Sequence, residues 1–246
     1  MSTVIAVTSG KGGTGKTTSV AAISSCLAIL KYKTLCIDFD FRLKNLDLSL
    51  CMKEVSMADI MDVANGQIDL MEACREHSMI KGLYYIPAPS YLGTMELDLE
   101  ALSSVFDEIR NQFDYCLLDT PAGIGDGFRL AHTFADTSII VSTGEAPAIR
   151  NAQRTAQAIN VYGIKNVRLL VNRTTLKDFK WLEKTIDDII DLVAVQLLGV
   201  IQEDKSVFRA VHTEVPLMLY KKKQSSREFM DATKRLLGEN IPLRFY

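Results

Sequence analysis

The first residues whose types and spacing could do chemistry form a glycine-rich loop near the N-terminus. The loop is Gly10-Lys11-Gly12-Gly13-Thr14-Gly15-Lys16-Thr17-Thr18, and it fits the pattern G-x-x-x-x-G-K-[ST] at every fixed position. Glycines let backbone N–H groups turn inward onto phosphate oxygens, and the start of the following helix adds partial positive charge. In such a loop Lys16 binds the outer phosphates and the Thr17 hydroxyl binds Mg²⁺. We therefore assign the whole run to nucleotide binding.

Carboxylates at the ends of two apolar segments complete this predicted site. Asp119 ends a run with almost no polar residue, and we assign it, with Thr17 and Asp38, to Mg²⁺. Asp38 ends a second apolar run, and Asp40 stands two residues further on, where a carboxylate could orient the attacking water. Capping of a turn or helix is an equally open interpretation of Asp38 and Asp40 when they are taken alone.

Short apolar runs and helical periodicity alternate along the chain. Strands are predicted at 4–8, 34–38, 83–87, 115–119, 137–141, 167–172 and 197–201. Helices are predicted at 17–31, 56–66, 97–112, 147–162, 180–192, 204–214 and 225–237. This alternation predicts an α/β fold, a single P-loop NTPase domain over residues 1–246, with a mainly parallel twisted sheet and helices on both faces. Ligands of such sheets bind beyond the carboxyl ends of the strands.

Composition excludes several classes of protein. Of the 246 residues, 48% are hydrophobic and 24% are charged, and the formal net charge is -2. These values exclude a disordered or collagen-like chain and give no overall basic footprint for nucleic acid. No apolar run approaches the roughly 18 residues that a membrane helix needs, and the first residues lack the features of a signal peptide, so we expect a cytoplasmic protein. The five cysteines form no C-x-x-C pair, which argues against a disulfide framework or a zinc ribbon.

Beyond the general pattern, the phosphate loop carries an extra lysine, Lys11, directly after its first glycine. In this respect it resembles the MinD/ParA family of dimerising ATPases, which have a deviant phosphate loop. Four further segments narrow the resemblance to the MinD-like members, which act in placing the division site; they are 38–47, 119–124, 199–210 and 235–243. The likeness covers essentially the whole chain.

The resemblance implies a Mg²⁺- and ATP-dependent hydrolase that is slow without an activator. ATP would bring two subunits face to face, and hydrolysis would separate them. Besides Lys16, it implies a catalytic role for Lys11, which would reach ATP bound by the partner subunit. Glu145 would contact the partner's nucleotide side, and Asp40 would position the hydrolytic water.

The resemblance also implies how the base is bound. Asn172 would read the adenine amino group, and three consecutive residues would form a wall for the base: Gln202, Glu203 and Asp204. Two positions depart from the family pattern. Proline is frequent where Gln202 stands, and an acidic residue is common where Asn151 stands, which bears on contacts with regulators.

The end of the sequence bears on partners and location. Relatives continue into an amphipathic helix that inserts in the bilayer, whereas this sequence stops at Tyr246. We therefore expect weak or no direct membrane binding, with transient presence at the inner face of the membrane through partners. Those partners would be a second copy of the chain and regulators of the division site. The basic cluster Lys221-Lys222-Lys223 is either a solvated loop or a patch for anionic lipid or DNA.

Two other functions known in the same family stay open. A ParA-like partition ATPase would bind DNA without sequence specificity, but the pI of about 6.0 and the lack of several basic residues on one terminal helix argue against DNA as a partner. A metal-cofactor-insertion ATPase would need an exposed pair of cysteines at the dimer interface. Cys116 and its neighbours do not supply one.

Overall fold

One eight-stranded sheet organises the chain. A computed structural model of the protein describes residues 2–41, 43–52, 58–89, 98–175, 186–220 and 224–243. The strands are β1 Thr3–Thr8, β2 Thr34–Asp38, β3 Arg75–Glu76, β4 Leu83–Ile86, β5 Tyr115–Asp119, β6 Thr137–Ser142, β7 Asn166–Thr174 and β8 Gln196–Gln202. Their order is β3-β4-β2-β5-β1-β6-β7-β8, and neighbours are parallel except for β3 with β4. The predicted mainly parallel sheet is confirmed, with β3 as an additional antiparallel edge strand.

The helices connect these strands. Within the described ranges they are α1 Lys16–Ile29, α2 Leu46–Leu50, α3 Ile60–Ala64, α4 Leu70–Ala73, α5 Leu99–Gln112, α6 Asp126–Phe134, α7 Ala146–Asn160, α8 Ile186–Val193, α9 Lys205–His212 and α10 Gln224–Leu236. The predictions for α1, α5, α7, α9 and α10 are confirmed to within a few residues. Of the helix predicted at 180–192, residues 180–185 lie outside the described ranges. The sequence does not predict α2, α4 and α6, because periodicity needs a longer window than these helices offer. No helix of the described ranges is both long and apolar enough to cross a membrane.

The helix expected to begin at Ser56 begins later in the chain. Asp59 is the N-cap of α3, and its Oδ1 accepts hydrogen bonds from the N–H groups of Met61 and Asp62. The Asp62 side chain accepts in turn from the Asp59 N–H at 2.9 Å. A capping box therefore starts the helix at Asp59, three residues after the predicted start, because Asp59 has its reciprocal partner at Asp62. Ser56 itself lies outside the described residues.

Helices cover both faces of the sheet, as predicted. Alternate strand residues point to opposite faces, so Ile5 and Val7 pack with α1 and α10, whereas Val4 and Ala6 pack with α3 and α5. A third cluster joins β6 and β7 to α7 and α8. Strands buried on both faces have little polar alternation, which explains the apolar sequence of β5.

The carboxyl ends of the parallel strands meet at one edge of the sheet. β1 lies between β5 and β6. From β1 the chain crosses to β2 on one side of the sheet, whereas β6, β7 and β8 extend the sheet on the other side. Such a reversal of strand order opens a crevice between the loops that follow the strands. The predicted site residues lie on these loops and on the strand ends and helix start that border them.

A buried histidine holds α6 against the sheet. His132 is hydrogen-bonded through Nδ1 to the Phe128 carbonyl at 2.7 Å and through Nε2 to the Ser138 hydroxyl at 3.0 Å. Burial lowers the pKa of His132 from 6.5 to about 4. Between these two values the unfolded chain binds more protons than the folded chain. The contribution of His132 to stability is therefore complete above the unfolded pKa and is lost as the pH falls through the folded pKa, by about 3 kcal/mol in total.

Replacing His132 with glutamine is expected to flatten this pH dependence. Urea unfolding of the parent should show a loss of about 2 kcal/mol attributable to His132 between about pH 7.5 and about pH 4.5, a loss that His132→Gln lacks. The exposed His212 on α9 offers a matched control, and His212→Gln should follow the parent. Parallel pH profiles for His132→Gln and the parent would show that His132 does not carry the dependence.

Candidate nucleotide-binding site

The phosphate loop runs from the end of β1 into the first turn of α1. Gly13 and Gly15 have φ angles of 79° and 86°, in the left-handed region that glycine adopts without strain. Gly10 lies against α7, where an added Cβ would stand 2.6 Å from the Cβ of Asn151. Glycine is thus needed for backbone conformation at two positions and for close approach at a third.

Lys16 and Asp119 form a buried ion pair at the base of the loop. The Lys16 Nζ lies 2.6 Å from Asp119 Oδ1, and the two residues are only 7% and 1% exposed. Burial raises the pKa of Asp119, and the charge and hydrogen bond of Lys16 oppose that rise. The carboxylate of Asp119 therefore depends on Lys16 for its charged state in the interior.

Asp38 and Asp40 follow the neighbouring strand and turn toward the same edge. Asp38 pairs in register with Asp119, and its carboxylate accepts the N–H groups of Asp40 at 2.9 Å and Leu46 at 3.3 Å. Burial, with the charge of Asp119, raises the pKa of Asp38 to about 7. Asp40 is 8% exposed, and its Oδ1 accepts the Leu43 N–H at 3.3 Å. Both carboxylates therefore accept backbone N–H groups, as the capping interpretation of the sequence predicts.

Three groups predicted for Mg²⁺ lie near one another. The Thr17 hydroxyl is 3.5 Å from the Lys16 Nζ, which also contacts Asp119, and Asp38 is the register neighbour of Asp119. All three supply the oxygen ligands that Mg²⁺ prefers. In the described part of the chain, no group of three or more His, Cys, Asp and Glu could hold a metal ion. The residues present therefore fit a Mg²⁺ ion that takes further oxygens from a bound nucleotide and water.

A cavity of 780 Å³ opens in front of the loop. Its size is that of a small-molecule site, for which about 300–1,000 Å³ is typical. Residues 11–14, 143–146 and 173–175 line it, together with Glu203. An adjacent cavity of 590 Å³ shares Thr174, Thr175 and Glu203 and is also lined by Gln202 and Asp204. The loop and the predicted base wall thus border neighbouring cavities.

Lys11 and Glu145 face each other across the mouth of the larger cavity. Their Nζ and Oε2 atoms are 3.4 Å apart, and the side chains are 51% and 65% exposed. An exposed ion pair of this kind contributes about 0–1 kcal/mol. Both side chains are therefore available to exchange partners at low cost.

Asn172 lies behind the phosphate loop, with its side chain buried. Its Nδ2 donates to the Thr14 carbonyl at 2.8 Å, and Gly15 packs so closely that a Cβ there would collide with the same nitrogen. Among the described residues, no group donates to the Asn172 Oδ1. The side chain thus braces the loop through its nitrogen and keeps an acceptor for an amine.

The three predicted wall residues make different contacts. Gln202 donates from Nε2 to the Glu228 Oε1 at 3.1 Å, and its N–H donates to Oε2 at 2.8 Å. Asp204 caps α9 by accepting the Ser206 N–H at 2.8 Å, and it accepts the Ser225 hydroxyl at 2.8 Å. These contacts tie the wall to α9 and α10. Glu203 instead turns toward the larger cavity.

In the ranges that the structure describes, the side chains of two loop threonines make no contact with the other predicted site residues through hydrogen bonds. The Thr14 hydroxyl is buried and has no hydrogen-bond partner within the described residues. Thr18 does not line the larger cavity and instead faces a small gap that it shares with Ser49 and Val211. Thr18 therefore borders α2 and α9 rather than the larger cavity.

Sequence reasoning misses two residues that the structure brings to the site. Arg173 donates to the Gly13 carbonyl and to Glu203, both at 2.8 Å. Glu228 is buried beneath the base wall, where burial raises its pKa and the hydrogen bonds from Gln202 oppose that rise. The position of Arg173, directly after Asn172 at a strand end, is the signal that could have indicated a role.

Comparisons with known proteins identify relatives of this chain. The family model described as an AAA domain matches residues 2–172. The septum site-determining protein MinD of Thermotoga maritima is 36% identical over 247 residues, which cover 99% of this chain and 91% of that protein.

Solved structures extend the likeness to three dimensions. A chain of the MinC:MinD cell division protein complex of Aquifex aeolicus has a TM-score of 0.90 and 33% identity, covering 100% of this chain and 99% of that chain. MinD of Pyrococcus horikoshii complexed with Mg-ADP shares the fold, with a TM-score of 0.79 and 24% identity over 98% of this chain and 100% of that chain. With a deviant phosphate loop and more than 30% identity over nearly the whole of both chains, the protein belongs to the MinD/ParA family, and its full-length likeness is to the septum site-determining proteins MinD.

Proposed function

We propose that this protein is a Mg²⁺-dependent ATPase that dimerises when ATP is bound and acts as a switch in placing the cell-division site. The observation that carries the proposal is the buried Lys16–Asp119 pair, 2.6 Å apart, at the base of a complete phosphate loop. Relatives named septum site-determining protein MinD, a MinC:MinD complex and a MinD with Mg-ADP support it. We infer that regulators of the division site are its partners, in the cytoplasm and at the inner face of the membrane.

Nucleotide binding begins at the phosphate loop in this proposal. The loop N–H groups bind phosphate oxygens. Lys16 leaves the Asp119 carboxylate and binds phosphate oxygens as well. Thr17, Asp38 and Asp119 would hold Mg²⁺, which when bound neutralises charge on the transferred phosphoryl group. The Asn172 Oδ1 accepts from the adenine amino group, because its Nδ2 is already bonded to Thr14.

Hydrolysis transfers the γ-phosphoryl group of ATP to water and leaves ADP and phosphate. Asp40 orients the attacking water, and Lys16 stabilises the charge that develops between the phosphates. Lys11 leaves Glu145 and binds the nucleotide of the partner subunit, so a complete site forms only in the dimer. The reaction is slow until an activator improves this arrangement.

Replacing Lys11 with alanine is expected to separate binding from dimerisation. Lys11→Ala should bind ATP within a few-fold of the parent, because Lys16 and the loop N–H groups remain. It should stay monomeric with ATP and lose about 10³-fold in hydrolysis, the scale of an arginine finger. Nucleotide titration and light scattering measure the two effects. Lys81→Ala, at an exposed lysine before β4 and at the opposite edge of the sheet, is the control. ATP-dependent dimerisation of Lys11→Ala like that of the parent would contradict the role.

The concentration dependence of hydrolysis tests the proposed function itself. If two subunits form the site, phosphate release per subunit should rise with protein concentration and then level off as the dimer saturates. ADP should inhibit, and chelation of Mg²⁺ should abolish the reaction. A rate per subunit that does not change with dilution, or no ATP binding at all, would contradict the proposal.

The two alternative functions have weaker support. Cys26, Cys36 and Cys116 are buried, and Cys51 and Cys74 are half-buried, so the described residues offer no exposed cysteine pair for a metal cofactor. Burial also raises the pKa of the Cys74 thiol to about 12, which disfavours the thiolate that binds metals. The cluster Lys221-Lys222-Lys223, which bears on DNA or lipid binding, lies outside the described residues. Binding to nonspecific duplex DNA with ATP, measured across a salt series, separates the partition ATPase from the division switch.

A further inference from the structure

The end of β7 turns an arginine back toward the phosphate loop. Val171 pairs with Val200 and Thr174 with Gln202, so β7 holds one residue more than β8 between these pairs. A bulge of this kind re-aims a side chain and is frequent beside functional sites. Arg173 lies within it and has a φ of 59°, a left-handed conformation that a residue other than glycine rarely adopts. In this strained conformation the Arg173 side chain lines the cavity in front of the phosphate loop.

Two successive carbonyls of the phosphate loop are held from this strand end. Arg173 Nη1 donates to the Gly13 carbonyl at 2.8 Å, and Asn172 Nδ2 donates to the Thr14 carbonyl at 2.8 Å. In a planar trans peptide the C=O and the following N–H point in opposite directions. Fixing these carbonyls toward β7 therefore fixes the N–H groups of Thr14 and Gly15 away from β7. Those N–H groups belong to the set that a phosphate loop presents to its ligand.

Glu203 anchors the other side of the guanidinium. Its Oε2 accepts from Arg173 Nε at 2.8 Å, and the Glu203 N–H donates to the Thr174 carbonyl at 2.8 Å. A guanidinium is planar and presents several donors in fixed directions, so it can bridge two acceptors at once. A lysine ammonium in its place has the charge but lacks the fork.

We propose that Arg173 is a positioning residue that presets the phosphate loop by clamping the Gly13 carbonyl to the Glu203 loop. The inference rests on the proposed function, because that function supplies the phosphate groups that the loop binds. Arg173 acts on the bound phosphates through the peptide group between Gly13 and Thr14, not by contact with them. The same clamp joins the phosphate side of the site to the base side.

The test measures the loop first without nucleotide. Backbone ¹⁵N order parameters of Thr14 and Gly15 should be about 0.85 in the parent and should fall to about 0.6 in both Arg173→Ala and Arg173→Lys. Glu203→Gln, which keeps the shape of the anchor and removes its charge, should cause a smaller fall. Lys165→Ala, at an exposed lysine before the start of the same strand, is the control and should match the parent. Thermal unfolding shows that each variant is folded.

The second measurement uses inorganic tripolyphosphate with Mg²⁺ as a probe without a base. Its dissociation constant should rise about tenfold in both Arg173 variants, the loss expected for one charge-assisted hydrogen bond. Unchanged order parameters in Arg173→Ala overturn the clamp, as does lowered order with unchanged binding. Weaker binding in Arg173→Ala that Arg173→Lys restores, at unchanged order, would make Arg173 a direct ligand instead. If the parent also fails to bind tripolyphosphate, the proposed function fails, while the order parameters still decide the clamp.

Discussion

Lys16→Ala is expected to abolish ATP binding and ATP-dependent dimerisation. Lys16 is the loop lysine that we assign to the outer phosphates, and no other lysine or arginine among the described residues contacts Asp119. A phosphate loop without this charge has only N–H groups to offset the outer phosphates. Size-exclusion chromatography with ATP and Mg²⁺ should give a monomer, and phosphate release should fall to background.

The same substitution should also destabilise the nucleotide-free protein. Removing Lys16 leaves Asp119 buried without a cation, and breaking a buried pair in this way costs about 3–5 kcal/mol. Combining Lys16→Ala with Asp119→Asn removes both charges and should recover most of that loss in urea unfolding. ATP-dependent dimerisation should not return with it. A Lys16→Ala protein that dimerises on ATP like the parent would exclude the assignment of the phosphate loop.

Asp40→Asn is expected to slow hydrolysis while keeping ATP binding and the dimer. Asparagine keeps the oxygen that accepts the Leu43 N–H, so the turn after β2 should persist. It lacks the negative charge that orients and polarises water, a contribution of about 10²–10⁴-fold in rate. Dimers should therefore accumulate with ATP and decay slowly. Phosphate release in a single turnover, beside the dimer fraction from light scattering, measures both effects.

A matched control exists on the same segment. Asp47 in α2 accepts the Leu48 N–H at 2.7 Å, so Asp47→Asn makes the same chemical change in another local capping contact. It should hydrolyse ATP at the parental rate. Parental hydrolysis by Asp40→Asn would leave Asp40 with only its capping role, the alternative that the sequence kept open.

Local spacing made the phosphate loop predictable from the sequence. Its glycines, Lys16 and Thr17 lie within nine residues, and the turn that they form needs no distant partner to be recognised. Asp119 was predictable because an apolar run that ends in a carboxylate is typical of a covered parallel strand next to a ligand. The alternation of predicted strands and helices along the chain predicted the parallel sheet and its helical layers.

Contacts between distant segments explain what the sequence could not predict. Arg173 meets Gly13 across 160 positions of the chain, and only the bulge in β7 turns it there. Gln202 was expected to form part of the base wall, but its partner Glu228 belongs to a helix that packs behind it. The helix predicted to begin at Ser56 begins at Ile60, because Asp59 forms a reciprocal capping box with Asp62.

The molar mass in solution tests the central claim most directly. Light scattering on the parent with Mg²⁺ should give the monomer mass of 27.4 kDa without nucleotide and with ADP. A slowly hydrolysed ATP analogue should double that mass, and Lys11→Ala should remain at the monomer value under the same conditions. A parent that binds the analogue and stays monomeric, or that is dimeric whatever nucleotide is present, would contradict an ATP-driven dimer switch.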